Sequence, residues 1–157
     1  MHKGVQKGFT LVELVMVIVL LGILSATALP KFFAVSSYQQ QAFFDDTLNA
    51  VRYAQKLAVA TGCNVQVSIS ANAYVLKQPD VRNHCLSNSP ADFTLLARHP
   101  GTGEASYTHS ETGVSLTSNP ATFYFDALGR ASADVQLTVA GIKIIAVVGD
   151  TGFVYAL

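Results

Sequence analysis

The sequence predicts an α+β fold in which a long N-terminal α-helix packs on a C-terminal antiparallel β-sheet. Residues 9–29 form an apolar run, and the chain then stays apolar at helical spacing up to about Thr61. After Gly62 the pattern changes to short alternating segments separated by Gly, Asn, Asp and Pro, which indicates β-strands and turns. A chain of 157 residues is long enough for one membrane segment and one domain of ordinary size.

Three regions follow from this pattern. Residues 1–8 form a short leader with two lysines, residues 9–29 a transmembrane helix, and residues 30–157 a globular domain. A helix needs about 20 apolar residues to cross a bilayer, and the run over 9–29 meets that length. Because basic residues before a membrane helix tend to stay in the cytoplasm, we expect the globular domain to be exported.

Glu13 is the charged residue inside the apolar run. An unpaired carboxylate in hydrocarbon is costly, or else it takes up a proton, so an ionisable residue there indicates a function. The alternative is that Glu13 snorkels to the headgroups or pairs with a local lysine.

The rest of the helix is predicted to be amphipathic. One face carries apolar residues at spacings of three and four: Phe44, Leu48, Val51, Ala54 and Ala58. Gly62 is expected to end the helix at the C′ position. Earlier in the helix, Gly22 and Pro30 are expected to weaken it, because glycine is flexible and proline lacks an N–H donor.

Short strands are predicted for the remainder of the chain. They lie at 65–69, 74–77, 93–97, 114–116, 122–125, 137–139, 143–148 and 153–155. Long loops are expected at 79–91 and 99–113, where Pro, Gly, Asn and Ser are frequent.

Cys63 and Cys85 are the two cysteines of the chain. In an exported domain they favour one disulfide, which would pin the 79–91 loop to the junction between the helix and the first strand. Two buried free thiols are an alternative. A metal site with His84 is a weaker one, because its spacing fits no standard zinc pattern. We therefore expect no metal and no cofactor.

The segment Gly8-Phe9-Thr10-Leu11-Val12-Glu13, with the apolar run behind it, resembles the signature of type IV pilins and type II secretion pseudopilins. The resemblance implies the pilin fold, cleavage between Gly8 and Phe9 by a prepilin peptidase, and N-methylation of Phe9. It also implies that the 9–29 helix serves in assembly, where Glu13 would pair with the new Phe9 α-amine of a neighbouring subunit. Gly22 and Pro30 resemble the pair that brackets a segment losing helicity inside pilus filaments. The resemblance also implies a single-pass protein of the bacterial inner membrane, with its domain in the periplasm before assembly.

A narrower resemblance lies near the C-terminus. Phe123-x-Phe125, Gly129-Arg130 and the apolar strand ending in Gly149 are similar to H-type pseudopilins and FimT-like minor pilins. The positions of the cysteines differ from the C-terminal disulfide loop of major pilins, which favours a minor subunit. The combination resembles minor pilins of the mannose-sensitive haemagglutinin (MSHA) pilus.

The resulting prediction is a structural minor subunit in the initiation or tip complex of a pilus, and so in adhesion or surface attachment. Implied partners are other pilin subunits, the prepilin peptidase, the inner-membrane assembly platform and inner-membrane lipid. One alternative is an H-type pseudopilin of a type II secretion system that moves exoproteins across the outer membrane. Another is a FimT-like DNA-binding subunit in DNA uptake.

Charge and motifs argue against other functions. Without Lys3 and Lys7, eight of the ten Lys and Arg residues remain against ten Asp and Glu, which does not favour a nucleic-acid partner. Motifs such as Gly-x-Ser-x-Gly and His-Glu-x-x-His are absent from the sequence, so we do not expect an enzyme.

Overall fold

The predicted long helix is present as α1, which covers Leu11–Thr61 in the computed structural model. Gly62 follows with a φ of 66°, in the left-handed region that a glycine at C′ adopts readily. The predicted end of the helix is therefore confirmed.

The structure describes residues 10–80 and 85–157, and the side chains of 26–35 are not described. The chain divides into two units, Met1–Tyr38 and Gln39–Leu157. The predicted leader, Gly8 and Phe9 lie outside the described residues. Within the described part of the chain, no helix combines the length and the hydropathy of a membrane-spanning segment.

The second unit contains the strands. Those in the described residues are β1 Val65–Ser70, β2 Ala73–Gln78, β3 Leu95–Leu96, β4 Thr108–Ser110, β5 Leu116–Asn119, β6 Thr122–Phe125, β7 Val135–Val139, β8 Lys143–Val147 and β9 Val154–Ala156. They form two antiparallel sheets. The first sheet has the order β3-β2-β1-β6, with β4 also on β2, and the second has the order β5-β7-β8-β9. The α+β class with an N-terminal helix and antiparallel strands is confirmed, although the strands form two sheets.

The core of the second unit combines one face of the helix with both sheets. The predicted helix face, Phe44, Leu48, Val51, Ala54 and Ala58, is buried, and so are Phe43 and Ala50. The sheets contribute alternate residues, which include Val65, Val67, Phe123, Phe125, Leu137, Val139, Ile145 and Val147. The apolar face of this amphipathic helix therefore packs against the inward-facing strand residues.

The predicted exposed loop over 99–113 is wrong in part. β4 lies within it and pairs with β2, with His109 opposite Tyr74. Tyr107, just before β4, is only 5% exposed, and its carbonyl accepts a hydrogen bond from the Leu76 N–H at 3.0 Å. The physical reason is that β2 offers a free edge here, and nonlocal pairing orders a segment whose own sequence is polar.

The strand predicted over 93–97 is also shorter than expected. A 3-10 turn at Pro90–Asp92 precedes it, and the strand that pairs with β2 is limited to Leu95–Leu96. The Ala97 N–H also donates to the Leu76 carbonyl of β2 at 3.0 Å. Phe93 is instead a buried side chain, whose ring stacks on Tyr124 with 6.2 Å between the ring centroids.

The loop after β2 is fastened to the end of the helix at several points. Cys63 and Cys85 form a disulfide, which confirms the predicted pairing. Beside it, the Asn64 N–H donates to the Cys85 carbonyl at 2.8 Å, and the Asn64 side-chain amide donates to Ser87 and Asn88. Asn64 is 3% exposed, so these bonds also satisfy a buried polar side chain.

The helix also touches the edge of the second sheet. The Arg52 guanidinium donates a hydrogen bond to the carbonyl of Val154 on β9 at 3.3 Å. One turn on, the Gln55 amide donates to the Gly129 carbonyl at 2.9 Å and to the Thr151 carbonyl at 3.3 Å.

Candidate functional site

The start of α1 is capped by Thr10. Its hydroxyl oxygen accepts a hydrogen bond from the Glu13 N–H at 3.3 Å, and its carbonyl accepts one from the Leu14 N–H at 3.2 Å. Glu13 lies in the first turn, where a carboxylate interacts favourably with the helix dipole. The sequence analysis did not predict this N-terminal capping of the helix. Its sequence signature is nevertheless present, because Thr10 and Glu13 lie three residues apart before an apolar run.

The first apolar stretch of α1 is exposed around its circumference. Every large apolar side chain from Leu11 to Leu24 is between 42% and 79% exposed in the described structure. A helix that is apolar on all sides is found where other helices or lipid cover it. This stretch therefore has the composition of a surface that helices or lipid cover.

The Glu13 carboxylate has no hydrogen-bond or ion-pair partner among the residues that the structure describes. Its predicted partner, the Phe9 α-amine of another subunit, lies outside those residues. The contact between them stays a prediction.

Gly22 and Pro30 both lie inside α1, which is continuous from Leu11 to Thr61. A Cβ added to Gly22 would meet nothing within 4 Å, so close packing within the chain does not demand a glycine there. The predicted softening of the segment between them is not tested by this arrangement.

Near the C-terminus, Gly129-Arg130 forms a turn organised by Asp126. One Asp126 oxygen accepts hydrogen bonds from the Leu128 and Arg130 N–H groups, both at 2.9 Å. The other oxygen accepts from Arg130 Nε and lies 2.8 Å from a terminal guanidinium nitrogen. Partial burial alone would raise the pKa of Asp126, but the Arg130 and Leu128 hydrogen bonds and the Arg130 charge lower it below its ordinary value.

The turn between β8 and β9 packs directly against this first turn. Gly152 has a φ of 63°, and a Cβ added to it would stand 1.8 Å from the Gly129 carbonyl oxygen. Gln55 donates hydrogen bonds to both turns. Gly152, which was not part of the C-terminal resemblance, is therefore fixed by close packing against the backbone of Gly129. Of the two glycines in that resemblance, a Cβ on Gly149 would stand 3.1 Å from the Ala133 carbonyl carbon, and a Cβ on Gly129 would stand 2.9 Å from the Val59 side chain.

The two basic residues of this C-terminal region, Arg130 and Lys143, both contact other side chains. Arg130 pairs with Asp126, and a shallow cavity of about 310 Å³ beside it is also lined by Asp150. The Lys143 ammonium contacts the Gln41 amide oxygen and lies 5.3 Å from the centre of the Phe44 ring. This arrangement does not present the cluster of free cations that a phosphate backbone attracts.

A further polar cluster joins the helix to β2 and β4. The Tyr74 hydroxyl, on a side chain that is 1% exposed, donates to Asp46 at 2.5 Å. His109 Nδ1 lies 3.6 Å from Oδ2 of Asp46, and His109 Nε2 lies 3.6 Å from Oε2 of Glu111. Burial raises the pKa of Tyr74, and the hydrogen bond to Asp46 raises it further, so the phenol stays protonated.

This cluster was not predicted, because Tyr74 and His109 look like an ordinary strand residue and a loop residue. One residue could have indicated the cluster. Asp46 lies beside the apolar face of the helix, where a carboxylate needs a hydrogen-bond donor. Among the residues that the structure describes, no group of three or more His, Cys, Asp or Glu side chains could hold a metal ion. His84 lies outside them.

Comparison with known proteins supports the family resemblance. Residues 3–29 match the family model described as a prokaryotic N-terminal methylation motif. The type IV narrow pilus major component PilA5 of Thermus thermophilus is 50% identical over 52 residues, which are 33% of this chain and 45% of that protein. A fimbrial protein of Dichelobacter nodosus is 30% identical over 108 residues, which are 68% of this chain and 60% of that protein.

A likeness of fold covers more of the chain. The crystal structure of the type IV minor pilin FimU of Pseudomonas aeruginosa aligns with a TM-score of 0.50 and 10% identity, over 74% of this chain and 91% of that one. The chain spans 45% and 60% of the length of the two curated relatives named above. These matches do not show the predicted similarity to the MSHA minor pilin MshC.

Proposed function

We propose that this chain is a type IV pilin-like protein and that it serves as a minor structural subunit of a type IV pilus. The observation that carries the proposal is the exposed apolar stretch from Leu11 to Leu24, which contains a single carboxylate at Glu13. Such a surface needs apolar partners, and other pilin subunits are the partners that the family offers. Before assembly, inner-membrane lipid and the assembly platform would cover it.

Processing would start this assembly. We propose that a prepilin peptidase cleaves between Gly8 and Phe9, and that the new Phe9 amine is then N-methylated. The match of residues 3–29 to the N-terminal methylation motif supports this step. The new amine would pair with Glu13 of a neighbouring subunit and set the register between subunits.

One feature favours a minor subunit over a major one. The disulfide joins Cys63 to Cys85 at the end of the helix, whereas the disulfide loop of major pilins lies near the C-terminus. A minor subunit of this kind would act in the initiation or tip complex, with the second unit in the periplasm until the fibre forms.

The test compares Glu13→Val with Thr10→Ala in cells that lack the native copy. Glu13→Val removes the proposed contact and should leave cleavage intact while reducing incorporation into sheared pili at least tenfold. Thr10→Ala removes only the local cap and should be incorporated nearly normally. Normal incorporation of Glu13→Val would overturn the assembly role.

Two further measurements test the remaining parts of the proposal. N-terminal sequencing of the mature chain should begin at N-methylated Phe9, and any other start would contradict the processing step. Deletion of the chain should reduce piliation while leaving exoprotein release intact. The opposite result would favour an H-type pseudopilin of a type II secretion system.

The segment between Gly22 and Pro30 is proposed to loosen inside the filament. Hydrogen exchange of Ile23–Leu29 in assembled fibres should be fast and should slow in Gly22→Ala, because alanine favours helix by about 1 kcal/mol. Equal exchange in the two fibres would argue against this role.

A further inference from the structure

β4 has little apolar attachment of its own to the rest of the fold. Its residues, Thr108–Ser110, are polar and exposed, so the burial of apolar side chains does not hold the strand in place. Main-chain hydrogen bonds to β2 close its two ends. The Leu76 N–H donates to the Tyr107 carbonyl at 3.0 Å, and the Glu111 N–H donates to the Asn72 carbonyl at 3.1 Å. A side chain that also links β4 to the helix therefore matters for how tightly the strand is held.

The His109 imidazole provides this link. Its ring centroid lies 5.5 Å from that of Phe43 on α1, and its plane is within 19° of the Tyr74 ring on β2. The charged groups that face it are Asp46 from α1 and Glu111 from the segment after β4, each with a carboxylate oxygen 3.6 Å from a ring nitrogen. The Tyr74 phenol faces it as well, and burial together with its hydrogen bond to Asp46 keeps that phenol protonated.

Both carboxylate contacts depend on the charge of the imidazole. At 3.6 Å between heavy atoms neither contact is a normal hydrogen bond, so a neutral ring gains little from them. A protonated ring would lie between two carboxylates and attract both. Histidine is the side chain that ordinarily takes up a proton between about pH 8 and pH 5, where carboxylates are ionised. The His109 side chain is 45% exposed, so protons from the medium reach it.

We propose that His109 is a pH-sensitive latch, which holds β4 against the helix when it is protonated and loosens β4 when it is neutral. Because the closed strand places His109 between two carboxylates, proton uptake favours the closed strand, and the latch weakens as the pH rises. Opening of β4 would leave the Leu76 N–H and the edge of β2 unpaired, and such an edge can accept a strand from another chain. The latch goes beyond the assembly role, and it lies in a different unit from Glu13.

A second histidine nearby is expected to act in the opposite direction. Nδ1 of His99 accepts hydrogen bonds from the N–H groups of Gly101 and Thr102, both at 3.1 Å, and a proton on that nitrogen would break them. The His99 ring also lies 4.2 Å from the ring of Tyr107, which precedes β4. His99→Asn keeps an acceptor for these N–H groups without a group that titrates, so it separates the two histidines.

The experiment measures amide hydrogen exchange by NMR on the full chain in detergent micelles, at about pH 8 and about pH 5.5. Division by the exchange rates of unstructured peptides at the same pH gives protection factors. The amides of Leu76 and Glu111 report on β4, and the Ala140 amide, which donates to Ser115 at 2.8 Å beside the second sheet, is the internal control. Protection of the two β4 reporters should rise about threefold or more on acidification, because partly exposed ion pairs are individually weak. Protection of Ala140 should not change.

Matched variants test the role of the charge. His109→Gln cannot take up a proton, so the pH dependence of the β4 reporters should disappear. His109→Arg keeps a planar cation at both pH values, so their protection should be high and should not depend on pH. His99→Asn should retain the pH dependence of the native chain.

Three outcomes would overturn the proposal. They are equal protection of the β4 reporters at the two pH values in the native chain, a pH dependence that persists in His109→Gln, and a pH dependence in His109→Arg as large as the native one. If His109→Gln does not fold, the comparison of His109→Arg with the native chain decides alone. Glu13→Val should keep the full pH dependence, so failure of the assembly role and failure of the latch are separable.

Discussion

Two stretches of α1 are both rich in apolar residues, but these side chains are exposed in the first stretch and buried in the second. From Leu11 to Leu24 every large apolar side chain is exposed, whereas Phe43, Val51 and Ala54 are 2%, 1% and 0% exposed. The first stretch is apolar on all sides, while the second keeps Arg52 and other charged residues off its inner face. The second stretch is therefore buried within its own unit, whereas the first has the composition expected of the partner surface that we propose.

The strongest test of this comparison places a charge in each stretch. Val51→Asp buries an unpaired carboxylate in the core and should cost about 4 kcal/mol or more, a large part of the stability of a domain. Val17→Asp places the same charge on an exposed side chain and should leave the free energy of unfolding of the second unit unchanged. Urea denaturation followed by near-UV circular dichroism measures both, and equal losses would contradict the comparison.

The next largest loss of stability is expected at the turns that contain Gly129 and Gly152, which Gln55 of the second stretch contacts. Gly152→Ala would press a Cβ onto the Gly129 carbonyl in a left-handed backbone and should cost about 3 kcal/mol. Gly141→Ala has a similar φ of 74° but open space around it, and should cost only about 1 kcal/mol. Thermal unfolding of the two variants checks the difference, and similar melting temperatures would mean that the turns are not tightly packed.

The disulfide at the end of the buried stretch should contribute less. Replacing Cys63 and Cys85 with Ser removes a cross-link between residues 22 apart, worth about 3 kcal/mol in the chain-entropy model and less than that in many measured cases. The Asn64 hydrogen bonds remain, so the variant should still fold. A urea midpoint equal to that of the oxidised protein would show that the cross-link adds nothing to the noncovalent contacts.

The smallest effect concerns pH. The pKa of Asp126 is lowered in the folded state, so its contribution is present above its ordinary pKa of about 4 and is lost as the pH falls through the lowered value. Because Asp126 is near the surface, we expect about 0.5–1 kcal/mol. The stability difference between the native chain and Asp126→Asn should therefore shrink from pH 5 to pH 2. A difference that stays constant over this range would contradict the proposed ion pair.

The sequence was most informative where a pattern is local. The helix face ending at Ala58, the stop at Gly62 and the pairing of Cys63 with Cys85 were all predicted, and the structure confirms them. Each depends on spacing over a few residues or, for the cysteines, on a choice among very few partners. The processing site at Gly8 and Phe9 and the assembly contact of Glu13 stay predictions.

Nonlocal pairing could not be predicted in the same way. Val65 pairs with Phe125, and β4 joins β2 although its residues Thr108–Ser110 are polar and exposed. Nothing in either segment alone indicates its partner, because strand pairing depends on which edges the rest of the fold leaves free. The division into two sheets and the contact of Tyr74 with Asp46 were missed for the same reason.

The hydrogen bond from Arg52 to Val154 has a consequence for solubility. β9 is an edge strand, and the unpaired carbonyls of such an edge can recruit strands of unrelated chains and start aggregation. The helix occupies one of these carbonyls with a charged guanidinium at 3.3 Å, which places a cation and a steric block beside the edge. This contact thereby protects the exposed edge of β9 against pairing with strands of other chains.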